Sequence, residues 1–187
     1  MDPFTILGTA LALAMDAFAV AAAVAAGLPK LTAHHVFRLA WHFGLFQAGM
    51  PILGWLGGRI LSSVITALAP WIGFVLLAFL GLRMIWASRN GRNRPGTYDP
   101  TRGWSLVALS LATSIDALVV GISLGLLGLS IWIPALVIGC VALGLTYVGT
   151  HAGRRVGPYL GRWAERIGGG VLIAVGSRIL VQHLMGM

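Results

Sequence analysis

Two apolar stretches, each broken by a single carboxylate, constrain this chain more than any other feature. Between Phe4 and Ala26 the only ionisable residue is Asp16, and between Trp104 and Ile133 it is Asp116. Apolar runs of 18 or more residues mark membrane helices, because about 20 residues are needed to cross the hydrocarbon. Composition agrees. Of 187 residues 58% are hydrophobic and 10% charged, with mean hydropathy +0.89, against about 25% charged in a soluble domain. These values exclude a water-soluble globule and leave no room for a separate soluble catalytic domain.

Six spans are predicted, at roughly 4–26, 37–58, 69–87, 104–127, 131–152 and 165–185. The second contains Pro51, and the third opens after Pro70, where proline in a first turn costs little. The first run has no Lys or Arg before it and carries Asp16 at its centre, so it reads as a retained span rather than a signal peptide. The polar, Gly/Pro-rich segment 88–103 is the one clear linker, between units 1–87 and 104–187.

The net charge is +8. With no basic helix carrying interleaved aromatics, this does not point to nucleic acid. It points to orientation, since basic loops stay cytoplasmic. Ten Lys and Arg residues fall in the first, third and fifth connections (Lys30 and Arg38; Arg89, Arg92, Arg94 and Arg102; Arg154, Arg155, Arg162 and Arg166), against only Arg59 and Arg178 on the other side. The expected topology puts both termini outside and the basic central loop in the cytoplasm. Cys140 is alone and forms no intramolecular disulfide.

The halves repeat. Gly44, Gly49, Gly54, Gly58 and Arg59 recur 95 positions later as Gly139, Gly144, Gly149, Gly153 and Arg154. Gly73, Gly81 and Arg83 recur at the same offset as Gly168, Gly176 and Arg178, and Asp16-Ala17 recurs 100 positions later as Asp116-Ala117. Three spans per half is an odd number, so the second half enters the membrane from the opposite side. The expected fold is all-α and integral to the membrane, six helices as two inverted three-helix repeats. In transporters so built, the substrate site lies near the midplane between the repeats.

Asp16 and Asp116 each sit about twelve residues into a span, near the bilayer centre at 1.5 Å per residue. There each carboxylate costs roughly 2.5–3.5 kcal/mol on an insertion scale, which a structural lock or a function must offset. Helical spacing puts Thr113 and Ser123 on the face of Asp116 and Thr9 on that of Asp16, with Ser114 and Met15 turned aside. These hydroxyls either line a polar cleft or bond their own backbone. Gln47 lies in the middle of the second span, and Pro51, four residues on, has no N–H for its carbonyl. The position matching Gln47 in the second half is Ala142. Carboxylates, an amide, hydroxyls and free carbonyls form an oxygen-rich set suited to Mn²⁺, Mg²⁺ or Ca²⁺, whereas Zn²⁺ or Cu⁺ sites normally use His or Cys. His34, His35, His42, His151 and His183 lie in loops or near span ends, and Met50 reads as packing. Arg83 and Arg178 either snorkel to opposite interfaces or pair with a carboxylate in the empty site.

Met15-Asp16-Ala17-Phe18-Ala19, the run Gly44 to Pro51 with Gly54-Trp55, and Ala112-Thr113-Ser114-Ile115-Asp116-Ala117 resemble the motifs of the small bacterial manganese efflux pumps (MntP), within the wider lysine-exporter superfamily. Gly81 to Ile85 and Gly168 to Leu172 fit as well, so the resemblance covers the whole chain. It implies an inner-membrane Mn²⁺ exporter with no cofactor, Mn²⁺ being the substrate, in contact with membrane lipid. A single chain or a homodimer accommodates it. It carries roles to Asp16 and Asp116 and to Gln47. Members often have a hydroxyl residue where this chain has Ala142.

The candidate metal set is Asp16, Asp116, Gln47, Thr113 and Ser114, with Thr9, Met50, Arg83 and Arg178 as accessory positions. Because metal ligands must be deprotonated, the two aspartates also offer proton coupling. Competing readings are export of another divalent cation or small solute, and an intramembrane aspartyl protease, which also uses two membrane aspartates. Asp116 lacks the Gly-x-Gly such proteases place before one aspartate.

Overall fold

The computed structural model describes residues 3–28, 30–89, 99–160 and 163–185, and among them every regular element is an α-helix. These are α1 (Pro3–Gly27), α2 (Ala33–Arg89), α3 (Gly103–Thr113), α4 (Ile115–Leu126), α5 (Trp132–Leu160) and α6 (Trp163–Leu184). The surface carries large apolar side chains such as Phe79, 62% exposed, and Leu136, 67% exposed. A monomer in water rarely shows so much contiguous apolar surface, whereas lipid covers it without cost. The architecture is a membrane-type helical bundle. By length and composition α1 and Trp132–Val156 each suffice to cross a membrane, and α3 with α4 would make a third span, bent by 45°.

Two elements differ from the expected spans. The predicted second and third spans are one helix, because 59–68 keeps helical hydrogen bonding. That stretch has neither glycine nor proline before Pro70, so no residue in it lacks an N–H to donate. At 1.5 Å per residue, 57 residues would extend about 85 Å if straight. Yet Leu39 and Phe43 near its start share one core cluster with Leu77 and Leu80 near its end. The helix therefore curves back between them, where Gly57, Gly58 and Pro70 lie.

The predicted fourth span is broken at Ser114. Thr113 Oγ1 donates to Leu109 O at 2.9 Å, and Ser114 Oγ donates to Ser110 O at 2.7 Å. Hydroxyls that bond back onto the preceding turn bend a helix. The single face expected for Thr113 and Asp116 assumed an unbroken helix; the two residues stand on either side of the bend.

Close backbone crossings set the packing, and they fall at matched positions. A Cβ on Gly54 would meet Leu118 O, and one on Gly149 would meet Phe18 O. Gly54 and Gly149 are 95 positions apart, while Phe18 and Leu118 are 100 apart. Gly44 and Gly139 lie against each other, as do Leu77 and Gly176.

One end of the bundle is tied by Asp99. Thr32 precedes α2, its Oγ1 accepting from His35 N at 3.4 Å while its N donates to His35 Nδ1 at 3.3 Å, a reciprocal cap. The other His35 nitrogen, Nε2, meets Asp99 Oδ2 at 3.4 Å, and Arg102 Nε reaches the same oxygen at 3.2 Å. Burial pushes the Asp99 carboxyl up, but two hydrogen bonds from Thr101, then His35 and Arg102, outweigh it and hold it below the usual carboxylate range. The unfolded chain thus binds its proton more readily. The contribution to stability is full above the ordinary carboxylate pKa and is lost as pH falls through the lowered value. At the opposite end Trp55 Nε1 donates to Leu129 O at 2.8 Å, next to Gly128, whose φ of +68° closes α4.

Candidate metal centre

Asp16 is 8% exposed on α1, within the apolar stretch that buries Ala17, Val20 and Ala21. Its Oδ1 accepts from Arg178 Nη1 on α6 at 3.2 Å. Of the two readings of Arg178, pairing is the one observed. Arg83 lies outside the described side chains. Asp116 stands in the first turn of α4, where the bend at Ser114 creates a helix N-terminus inside the span. Its Oδ1 accepts from Ala117 N at 2.7 Å, and it lies within electrostatic reach of both Asp16 and Arg178. The two aspartates are therefore neighbours in space as well as equivalents in sequence.

Gln47 is fully buried on α2. Its Nε2 donates to Leu13 O and to Thr113 O, each at 3.2 Å. Leu13 and Thr113 are 100 positions apart, the spacing of the aspartates, so one amide ties together the equivalent turns that precede them. Gln47 Oε1 is buried with no hydrogen-bond partner. Such an orphan acceptor costs about 1–3 kcal/mol unless something fills its lone pairs.

The remaining candidates divide. Thr113 and Ser114 are buried beside the bend, and their hydroxyl protons go to their own helix, which leaves oxygen lone pairs. Met50 packs with Ala10, Leu13, Ala117 and Ile138 in a core cluster. Ser123 is exposed and bonds Val119 O at 3.0 Å. Thr9 is half-buried on α1, below the aspartate.

Sequence reasoning missed Thr146. It is fully buried on α5, and its Oγ1 has no partner. It lies one turn beyond Ala142, the position that had left the fifth span without a ligand. A hydroxyl at i+4 in an apolar helix was the available signal. Among the described residues no three His, Cys, Asp or Glu gather into a metal-holding group. A cation here would need the two carboxylates completed by amide, hydroxyl and carbonyl oxygens, as hard cations accept.

The chain also resembles known proteins. Residues 30–180 match the family model described as "Putative manganese efflux pump". A relative from Syntrophotalea carbinolica, named "Putative manganese efflux pump MntP", is 50% identical over 100% of both chains. Relatives of the same name from Oleidesulfovibrio alaskensis and Citrifermentans bemidjiense are 52% and 50% identical, over 96% and 99% of both chains. No solved structure matches the chain.

Proposed function

The chain belongs to the manganese efflux pump family, and from that membership we propose that it exports Mn²⁺ across the bacterial inner membrane through a site centred on Asp16 and Asp116. The family is one of transporters rather than enzymes, with Mn²⁺ as cargo and no cofactor, so the protease alternative falls away. The observation that carries the site is Gln47: one amide holds the two aspartate-bearing segments at Leu13 and Thr113 and keeps an unpaired oxygen beside them. The oxygen set is then both carboxylates, Gln47 Oε1 and the hydroxyls of Thr113 and Ser114, with Thr146 the hydroxyl available from α5.

The plan is six spans in two inverted units, 1–87 and 104–187. The matched crossings of Gly54 with Leu118 and of Gly149 with Phe18 support it. The His35–Asp99 contact supports a shared side for the first and third connections, the side the arginine bias places in the cytoplasm. Alternating access is rocking of one unit against the other around the fixed aspartates.

Arg178 gives the cycle its resting state. With no metal bound it supplies the positive charge at Asp16, and Mn²⁺ must displace it. Arg83 is its counterpart by position in the repeat. Ligation also releases any proton the carboxylates carry, so a pH gradient drives export. In proteoliposomes holding a pH dye, Mn²⁺ flux should be matched by proton counterflow. Flux indifferent to the gradient leaves a uniporter.

Two variants separate the roles. Gln47→Ala should weaken Mn²⁺ binding by about tenfold or more and change the discrimination against Mg²⁺, since it removes a buried acceptor and the tie between the units. Titrations with both metals, unchanged from the parent, would assign Gln47 to packing. Arg178→Gln should bind Mn²⁺ more tightly at equilibrium but turn over more slowly, because the competitor that helps release the ion is gone. Weaker binding would mean that Arg178 builds the site instead of competing for it.

A further inference from the structure

Away from the aspartates, a cavity of about 650 Å³ opens at the end of the bundle tied by Asp99. Its walls include Arg38 and His42 from α2 and Thr101, Arg102, Gly103 and Trp104 from the start of α3. Arg38 Nη1 is buried and has no hydrogen-bond partner. A buried guanidinium nitrogen calls for an acceptor. The nearby carboxylate is already committed: Asp99 Oδ1 accepts from Thr101 N at 2.9 Å and Thr101 Oγ1 at 2.6 Å, while Oδ2 serves His35 and Arg102. The first turn of α3 adds to the demand, for Arg102 at its N-cap makes no side-chain cap and no acidic residue follows.

These groups are donors and positive charge, with one acid already spent. They repel a metal cation and fit an anion with several oxygens. Guanidinium forks and helix-start amides both suit phosphate. The depth suits it too: Trp104 is 80% exposed at the mouth and Trp41 52% exposed on the adjoining turn of α2, and tryptophans of membrane helices gather at the headgroup level. We propose that this cavity is a phosphate-binding site whose ligand is the headgroup of an anionic phospholipid. The proposal does not depend on which cation the transporter carries.

Native mass spectrometry of the full chain, released from detergent and titrated with phosphatidylglycerol, phosphatidylcholine or inorganic phosphate, tests it. Phosphatidylglycerol should bind at least tenfold more tightly than phosphatidylcholine. Arg38→Gln should remove most of that preference, and so should Arg102→Gln, whose side chain is exposed and tolerant of change. Arg155→Gln, elsewhere on the surface, should keep it. Arg38-dependent binding of inorganic phosphate without lipid preference would keep the phosphate site and make a soluble ion its ligand. Equal binding of both lipids together with no phosphate binding, or a preference indifferent to both Arg38→Gln and Arg102→Gln, would overturn it.

Discussion

Asp16→Asn and Asp116→Asn should each bring Mn²⁺ export to background while the protein still reaches the membrane. Asparagine keeps the volume and one carbonyl oxygen, so packing around Ala17 and Ala117, both fully buried, is preserved. What is lost is one of the two negative charges that offset a divalent ion. Removing one partner of a buried charge pair costs about 3–5 kcal/mol, a loss of roughly 10²–10⁴ in affinity. Asp16→Asn also strands Arg178, whose side chain is 60% exposed and so finds other partners at little cost. The two variants should therefore fail alike in transport and differ little in abundance. Mn²⁺ flux into inverted vesicles, read beside the amount of protein in the same membranes, decides it. Export retained by either variant would remove that aspartate from the site.

The second large effect is steric. Gly121→Ala should cripple folding, because its Cβ would collide with the Pro51 carbonyl, whose carbon lies 2.6 Å from the added atom. The colliding atoms are backbone, so no rotamer change relieves them, and α4 and α2 must move apart. Overpacking costs about 1–3 kcal/mol and sometimes more, and this contact belongs at the upper end. Gly153→Ala, against Ala22 O, should behave the same way, whereas Gly8→Ala and Gly144→Ala meet nothing within 4 Å and serve as controls. Thermal unfolding in detergent should separate the pairs by many degrees. Equal melting temperatures across all four would mean that these helices are not held at the observed spacing.

The membrane-type helical bundle was legible because lipid demands long apolar helices, and Asp16 and Asp116 stood out for the same reason: a charge there is expensive. The glycine spacing marked the repeat but not the contacts: Gly44, Gly54, Gly139 and Gly149 sit at close crossings, whereas the matched Gly49 and Gly144 meet nothing within 4 Å. Gln47 stood out as a polar group in mid-span with Pro51 four residues on, but its reach to Leu13 and Thr113 is tertiary and leaves no mark in local spacing. The bend at Ser114 was missed because a hydroxyl facing a cleft and one bonding its own backbone look alike in sequence; Thr113 and Ser114 do the second. The continuity of α2 was missed because one span was ended before Arg59 and the next opened at Pro70, a residue that a helix also tolerates in its interior.

Gln47 occurs once, where the other half has Ala142, and its amide reaches two carbonyls related by the repeat. On the proposed plan that places it beside the pseudo-two-fold axis. Two identical half-length chains would bring two such glutamines to the same two acceptors, Leu13 O and Thr113 O. Joining the halves into one polypeptide lets the two positions differ, as Gln47 and Ala142 do. A variant carrying glutamine at both positions would set up that competition, and moving the glutamine from position 47 to 142 would ask whether the two halves are interchangeable.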